Sequence, residues 1–100
     1  MTPEAQRVAI AESCGWKIGP PLTNPEGTVI NWHYSEAWRL PDYLNDLNAM
    51  HEAEKSLTPE QRSDYHSLLL SSGYMAAIDA TAAQRAEAFL RALGQWQTNT

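Results

Sequence analysis

The sequence predicts an α+β domain, a small antiparallel sheet (a β-hairpin) packed with three to four α-helices in a sandwich-like arrangement. Three observations predict it. Apolar residues recur at spacings of three and four in four segments, and two of these open on a capping box, Thr58 with Gln61 and Thr81 with Gln84. One run, Thr28 to Tyr34, is β-branched and aromatic with a period of two. Turn signals at Gly19-Pro20-Pro21 and Asn24-Pro25-Glu26-Gly27 separate it from a shorter run at Trp16 to Ile18.

Thr2-Pro3-Glu4 is a cap with proline at the first helical position and an acid where the helix dipole favours it. A first helix is expected from Pro3 to Cys14, with Ala5, Val8, Ala9 and either Ala11 or the stem of Glu12 on its inner face, and Gly15 as its stop. Trp16 to Ile18 is expected to pair with Thr28 to Tyr34. In the second run Ile30, Trp32 and Tyr34 share one face and Val29, Asn31 and His33 the other. A two-stranded sheet is marginal in water, so helices, another strand or a second protomer should cover its apolar face.

Leu40-Pro41-Asp42 opens a second helix, expected from Asp42 to Ser56, with Tyr43, Leu44, Leu47, Met50 and Leu57 as its apolar stripe. A third helix, Pro59 to Ser72, should bury Tyr65, Leu68 and Leu69 before Gly73. Tyr74 to Ile78 fits either a short strand or an irregular connection. The last helix runs from Ala82 to Leu93, buries Ala82, Ala86, Phe89, Leu90 and Leu93, stops at Gly94 and lets Trp96 fold back on it. Residues 1–96 thus read as one domain and 97–100 as a flexible polar tail.

The chain has 100 residues and a net charge of −5, from 12 acidic and 7 basic residues. That balance argues against direct nucleic-acid binding, although an arginine pocket for a small anion remains compatible with it. Cys14 is the sole cysteine, so no internal disulfide forms; it reads as a small core residue with no activating base nearby. No stretch has the roughly 20 apolar residues of a membrane span, and no basic region precedes an apolar run at the amino terminus. A soluble, cytoplasmic protein is expected.

Five glycines lie singly, without a phosphate-cradling loop. His33, His51 and His66 have acids near two of them, but none stands at the spacing that sets metal ligands on one helical face, so no metal or other cofactor is expected. No serine or cysteine shows a nucleophile elbow or base partner, which argues for binding rather than catalysis.

Two sets of residues remain as binding candidates. Trp32, His33, Tyr34, Trp38 and Arg39 place aromatic faces for a base beside groups that meet phosphate. The competing reading makes Trp32 and Tyr34 the core face of the hairpin, with Trp38 packed beneath the loop. Arg85 and Arg91 can add anion contacts, but they stand about 120° apart on the wheel and should not share one pocket within a protomer. The second set is an acidic face, Asp42, Asp46, Glu52 and Glu54, which is either solvated or offered to a basic patch on a protein partner.

Three segments carry a resemblance: AIAESCGW at Ala9 to Trp16, PDYLNDLNAMHEAEKSL at Pro41 to Leu57, and ATAAQRAEAFLRALGQW at Ala80 to Trp96. In that order they resemble small phage and prophage proteins with the phage ABA sandwich domain, over about half the chain. The resemblance implies helices on both sides of an antiparallel sheet; where such proteins often carry strands, Thr58 to Ser72 reads here as a helix. It also implies a phage origin, and phage proteins of this size include counter-defence factors that sequester a nucleotide-type immune signal. The expected function is therefore sequestration of such a signal, with self-association into a homo-oligomer enclosing the site. The alternatives are an acidic, anti-CRISPR-like inhibitor of a host defence protein and a virion or assembly accessory protein.

Overall fold

The computed structural model describes residues 1–18, 21–31, 40–71 and 80–97. Within them the chain is an α+β fold: α1 (Pro3–Ser13), β1 (Leu22–Thr23), β2 (Val29–Asn31), α2 (Leu47–Glu54), α3 (Pro59–Leu70) and α4 (Ala82–Ala92). The connection Tyr74 to Ile78, the glycine at 73 and residues 98–100 lie outside the described residues. Gln97, the first residue of the expected tail, accepts a hydrogen bond through its carbonyl from the Met1 nitrogen at 2.9 Å.

The helix boundaries follow from side-chain chemistry. Thr2 accepts from the Ala5 amide, and Thr58 and Thr81 each form the full reciprocal capping box with Gln61 and Gln84. Both α1 and α4 close in the same way. The amides of Gly15 and Trp16 return to the carbonyls of Glu12 and Ala11, and those of Gly94 and Gln95 to Arg91 and Leu90. This pair of hydrogen bonds requires a left-handed residue, and the glycines supply it at φ 101° and 71°.

The second helix starts later than its apolar spacing predicts. Asp46 is extended, at φ −116° and ψ 108°, and its carboxylate caps the Asn48 amide. Upstream, Asp42 is the acceptor of a separate turn, taking the Asn45 and Asp46 amides on its carbonyl and the Asn45 side chain on its carboxylate. Short Asp and Asn side chains compete for backbone groups and favour caps and turns over helix interior. Four of them between residues 42 and 48 break the segment in two, and Leu47, expected inside, is 44% exposed.

The hairpin also differs in its first strand. Val29–Asn31 pairs antiparallel with Leu22–Thr23, and Lys17 alone of the Trp16–Ile18 run makes a bridge, to Thr23. The reason is the turn: Asn24 takes the Gly27 amide on its carbonyl and the Thr28 amide on its side chain, so the residues next to it close first. Gly27 stands at φ 88°, where only glycine is unstrained. The predicted continuation of β2 through Trp32, His33 and Tyr34 lies outside the described residues.

The organising element is α4, which packs against α1, α2 and α3. Ala82, Ala86, Ala88, Phe89 and Leu90 are buried, while Leu93 and Trp96 pack on the same cluster as partly covered residues. Tyr65 of α3 meets Phe89 edge-to-face at 6.4 Å, and Met50 and Ala53 enter from α2. The sheet joins this core through Leu22, buried to 1% exposure, with Ile30 against it.

The inner face of α1 is largely the expected one, with Ile10 at its centre and Ala5 left out. Ile10 and Ala11 are buried, Val8 and Ala9 are partly covered, and Ala5 and Glu12 are exposed. Ile10 buries more apolar area than any single alanine of the helix, so it anchors the face that meets the core. Arg7 follows onto the same side and donates from Nη2 to the Leu40 carbonyl at 3.1 Å. On α3, Tyr65 is buried and Leu69 half-buried as expected, but Leu68 is 36% exposed.

Candidate functional site

A cleft of about 610 Å³ is lined by the end of α3 and by α4, with Gln6 of α1 and Leu44 also on its surface. Leu68, Leu69 and Ser71 of the α3 end form one wall, and Ala83, Gln84 and Ala88 of α4 belong to the other. Trp96, after the Gly94 stop, packs back on the core and lines the cleft as well. Arg91 holds its guanidinium carbon 5.2 Å from the centre of the Trp96 ring, and its Nε is 3.3 Å from Glu87 Oε2. Arg91 and Glu87 are about half exposed, so their pairing is a screened surface interaction that a ligand can rearrange. The volume is that of a small-molecule site, and the lining combines apolar wall with a few polar groups that fix orientation.

A second polar cluster lies between helices α2, α3 and α4. Glu54 accepts from the Tyr65 hydroxyl at 2.8 Å and meets Arg85 Nη1 and His51 Nδ1 at 3.6 Å each. Arg85 also donates from Nε to the Ala80 carbonyl, just before its own helix begins. Burial, reinforced by the facing Glu54 carboxylate, raises the Tyr65 phenol well above its ordinary pKa. This cluster fastens three helices together.

The four acids of the predicted acidic face therefore do different work. Asp42 holds a turn, Asp46 caps α2, Glu52 pairs with Lys55 at 2.9 Å, and Glu54 faces inward to Tyr65 and Arg85. Arg85 and Arg91 are likewise separated: Arg85 turns to Glu54, and Arg91 lines the cleft. Trp32, His33, Tyr34, Trp38 and Arg39 lie outside the described residues. Cys14 is within 3.8 Å of Ser56 Oγ, and burial raises its thiol pKa, which disfavours the reactive thiolate.

Among the described residues no three His, Cys, Asp or Glu side chains converge as a metal site would require, and no helix is long and apolar enough to cross a membrane. The sequence reading missed Gln6, Leu68 and Glu87 as cleft residues. Leu68 and Glu87 belong to different helices, and only the packing of α3 on α4 brings them to one cavity. Trp96 is expected from the sequence only to fold back on the last helix after the glycine stop, and it too lines the cleft. No family model, no curated protein and no solved structure matches the chain.

Proposed function

We propose that this chain is a small binding protein of phage or prophage origin that acts in counter-defence by sequestering a nucleotide-type immune signal. The single observation that carries the binding part is the Arg91–Trp96 pair on the wall of a nucleotide-sized cleft. An indole and a guanidinium held together offer an aromatic face on which a base stacks and one cationic group, paired with Glu87, that can meet a phosphate. The apolar wall from Leu68 and Leu69 removes the remaining face of such a ring from water. The three segments resembling phage ABA sandwich proteins supply the biological setting, and self-association across the open side of the cleft belongs to the same reading.

Native mass spectrometry tests it, with the purified protein before and after incubation with a broad panel of linear and cyclic nucleotides. The expected result is a retained small mass that is released on denaturation and lost in Arg91→Ala, at a stoichiometry that also reports the oligomer. A folded protein that stays empty across the panel, at concentrations well above the expected dissociation constant, would overturn the proposal.

A further inference from the structure

We infer that the cleft selects nucleosides and singly charged nucleotides and discriminates against polyphosphates. The inference rests on the nucleotide reading above and adds the charge class of the ligand. Among the described residues lining the cleft, Arg91 is the one cation and Glu87 the one carboxylate, and the two are paired at 3.3 Å. The described lining thus carries one balanced charge pair, inside a chain whose net charge is −5. A polyphosphate needs several donors or cations to replace the water it gives up; here it meets one guanidinium already shared with an acid.

The remaining polar groups suit hydroxyls and base edges better than phosphates. Ser71 Oγ donates to the Leu68 carbonyl at 2.7 Å and Gln6 Nε2 to the Met1 carbonyl at 3.3 Å, which leaves their oxygens as acceptors, while Gln84 Oε1 holds the Thr81 amide at 2.8 Å and leaves only its amide nitrogen to donate. Glu87 engages Arg91 through Oε2, which leaves Oε1 directed to an acceptor role that a ribose hydroxyl satisfies and a phosphate opposes. Trp96 and the leucine wall add stacking and burial that do not depend on ligand charge.

Calorimetric titration of the intact protein with adenosine, cyclic AMP, AMP and ATP reads this ordering. Adenosine and cyclic AMP are expected to bind most tightly, with AMP weaker and ATP weakest. Raising salt from about 0.05 M to about 0.5 M should strengthen ATP binding by screening repulsion and leave adenosine unchanged. Glu87→Gln, at an exposed position, should raise ATP affinity relative to adenosine by about tenfold. ATP binding more tightly than adenosine, and weakening with salt, would overturn the charge selectivity while leaving nucleotide binding intact. Binding of none of the four, nor of any nucleotide in the wider panel, would overturn the nucleotide reading itself and this inference with it.

Discussion

Tyr65 on α3 donates its hydroxyl to Glu54 Oε1 on α2 at 2.8 Å, and the same oxygen lies 3.6 Å from Arg85 on α4. One half-buried carboxylate thus joins three helices. Tyr65→Phe removes the hydroxyl donor and should cost about 0.5–1.5 kcal/mol, whereas Glu54→Ala leaves two donors without their acceptor and should cost about 1–3 kcal/mol. Urea denaturation of both single variants and the double variant checks this. Additive losses would show that the bond contributes no coupling.

Ile10 and Leu68 are both large aliphatic residues on amphipathic helices, but Ile10 is fully buried and Leu68 is 36% exposed. Ile10→Ala should therefore lose about 2–5 kcal/mol, while Leu68→Ala should stay within about 1 kcal/mol. The contrast also bears on function, because Leu68 lines the cleft. Leu68→Ala should weaken ligand binding in a protein that melts near the wild-type temperature; a large drop in melting temperature would mean that Leu68 belongs to the core after all.

Gly94 ends α4 in a left-handed conformation at φ 71°, and an added Cβ there would meet nothing within 4 Å. The expected penalty of Gly94→Ala is therefore conformational, about 1 kcal/mol, with Gly94→Asn costing less because asparagine tolerates this region. The return of the chain that sets Trp96 beside Arg91 depends on the same turn, so tryptophan fluorescence should report greater solvent exposure in Gly94→Ala than in Gly94→Asn. Equal stability of all three proteins would show that the turn adopts another conformation without cost.

The last helix was legible in the sequence from end to end because its determinants are local: Thr81 and Gln84 face each other across one turn, and Gly94 stops it. The second helix was less so, since its stripe of Tyr43, Leu44 and Leu47 is helical in period while Asp42 and Asp46 hold the backbone in other conformations. The central place of Ile10 on the α1 face was decided by its burial against distant elements, which no local pattern contains. In the candidate site, the divergence of Arg85 from Arg91 followed from helical angle alone. The partners that give each its place, Glu54 for one and Trp96 with the α3 end for the other, depend on tertiary packing.

Stability should fall in alkali, for reasons that the buried hydroxyl and thiol groups supply. Burial raises the pKa of Cys14, and of Tyr43 and Tyr65 well beyond the usual tyrosine value, with a neighbouring Cys14 adding to the effect at Tyr43 and Glu54 at Tyr65. In the unfolded chain these groups titrate near about 8.5 for the thiol and about 10 for the phenols. The folded protein keeps protons that the unfolded chain releases, so the stabilisation is fully present below about pH 8.5, begins to decline with the thiol and falls more steeply above about pH 10. Each group contributes a slope of up to about 1.4 kcal/mol per pH unit until its folded pKa is reached. Urea midpoints at about pH 7, 9, 10 and 11 measure the decline. Tyr65→Phe, less stable at neutral pH, should lose less on going to alkali because one of the two phenols no longer titrates. A variant whose curve merely runs parallel to the wild type above about pH 10 would show that Tyr65 ionises as readily folded as unfolded.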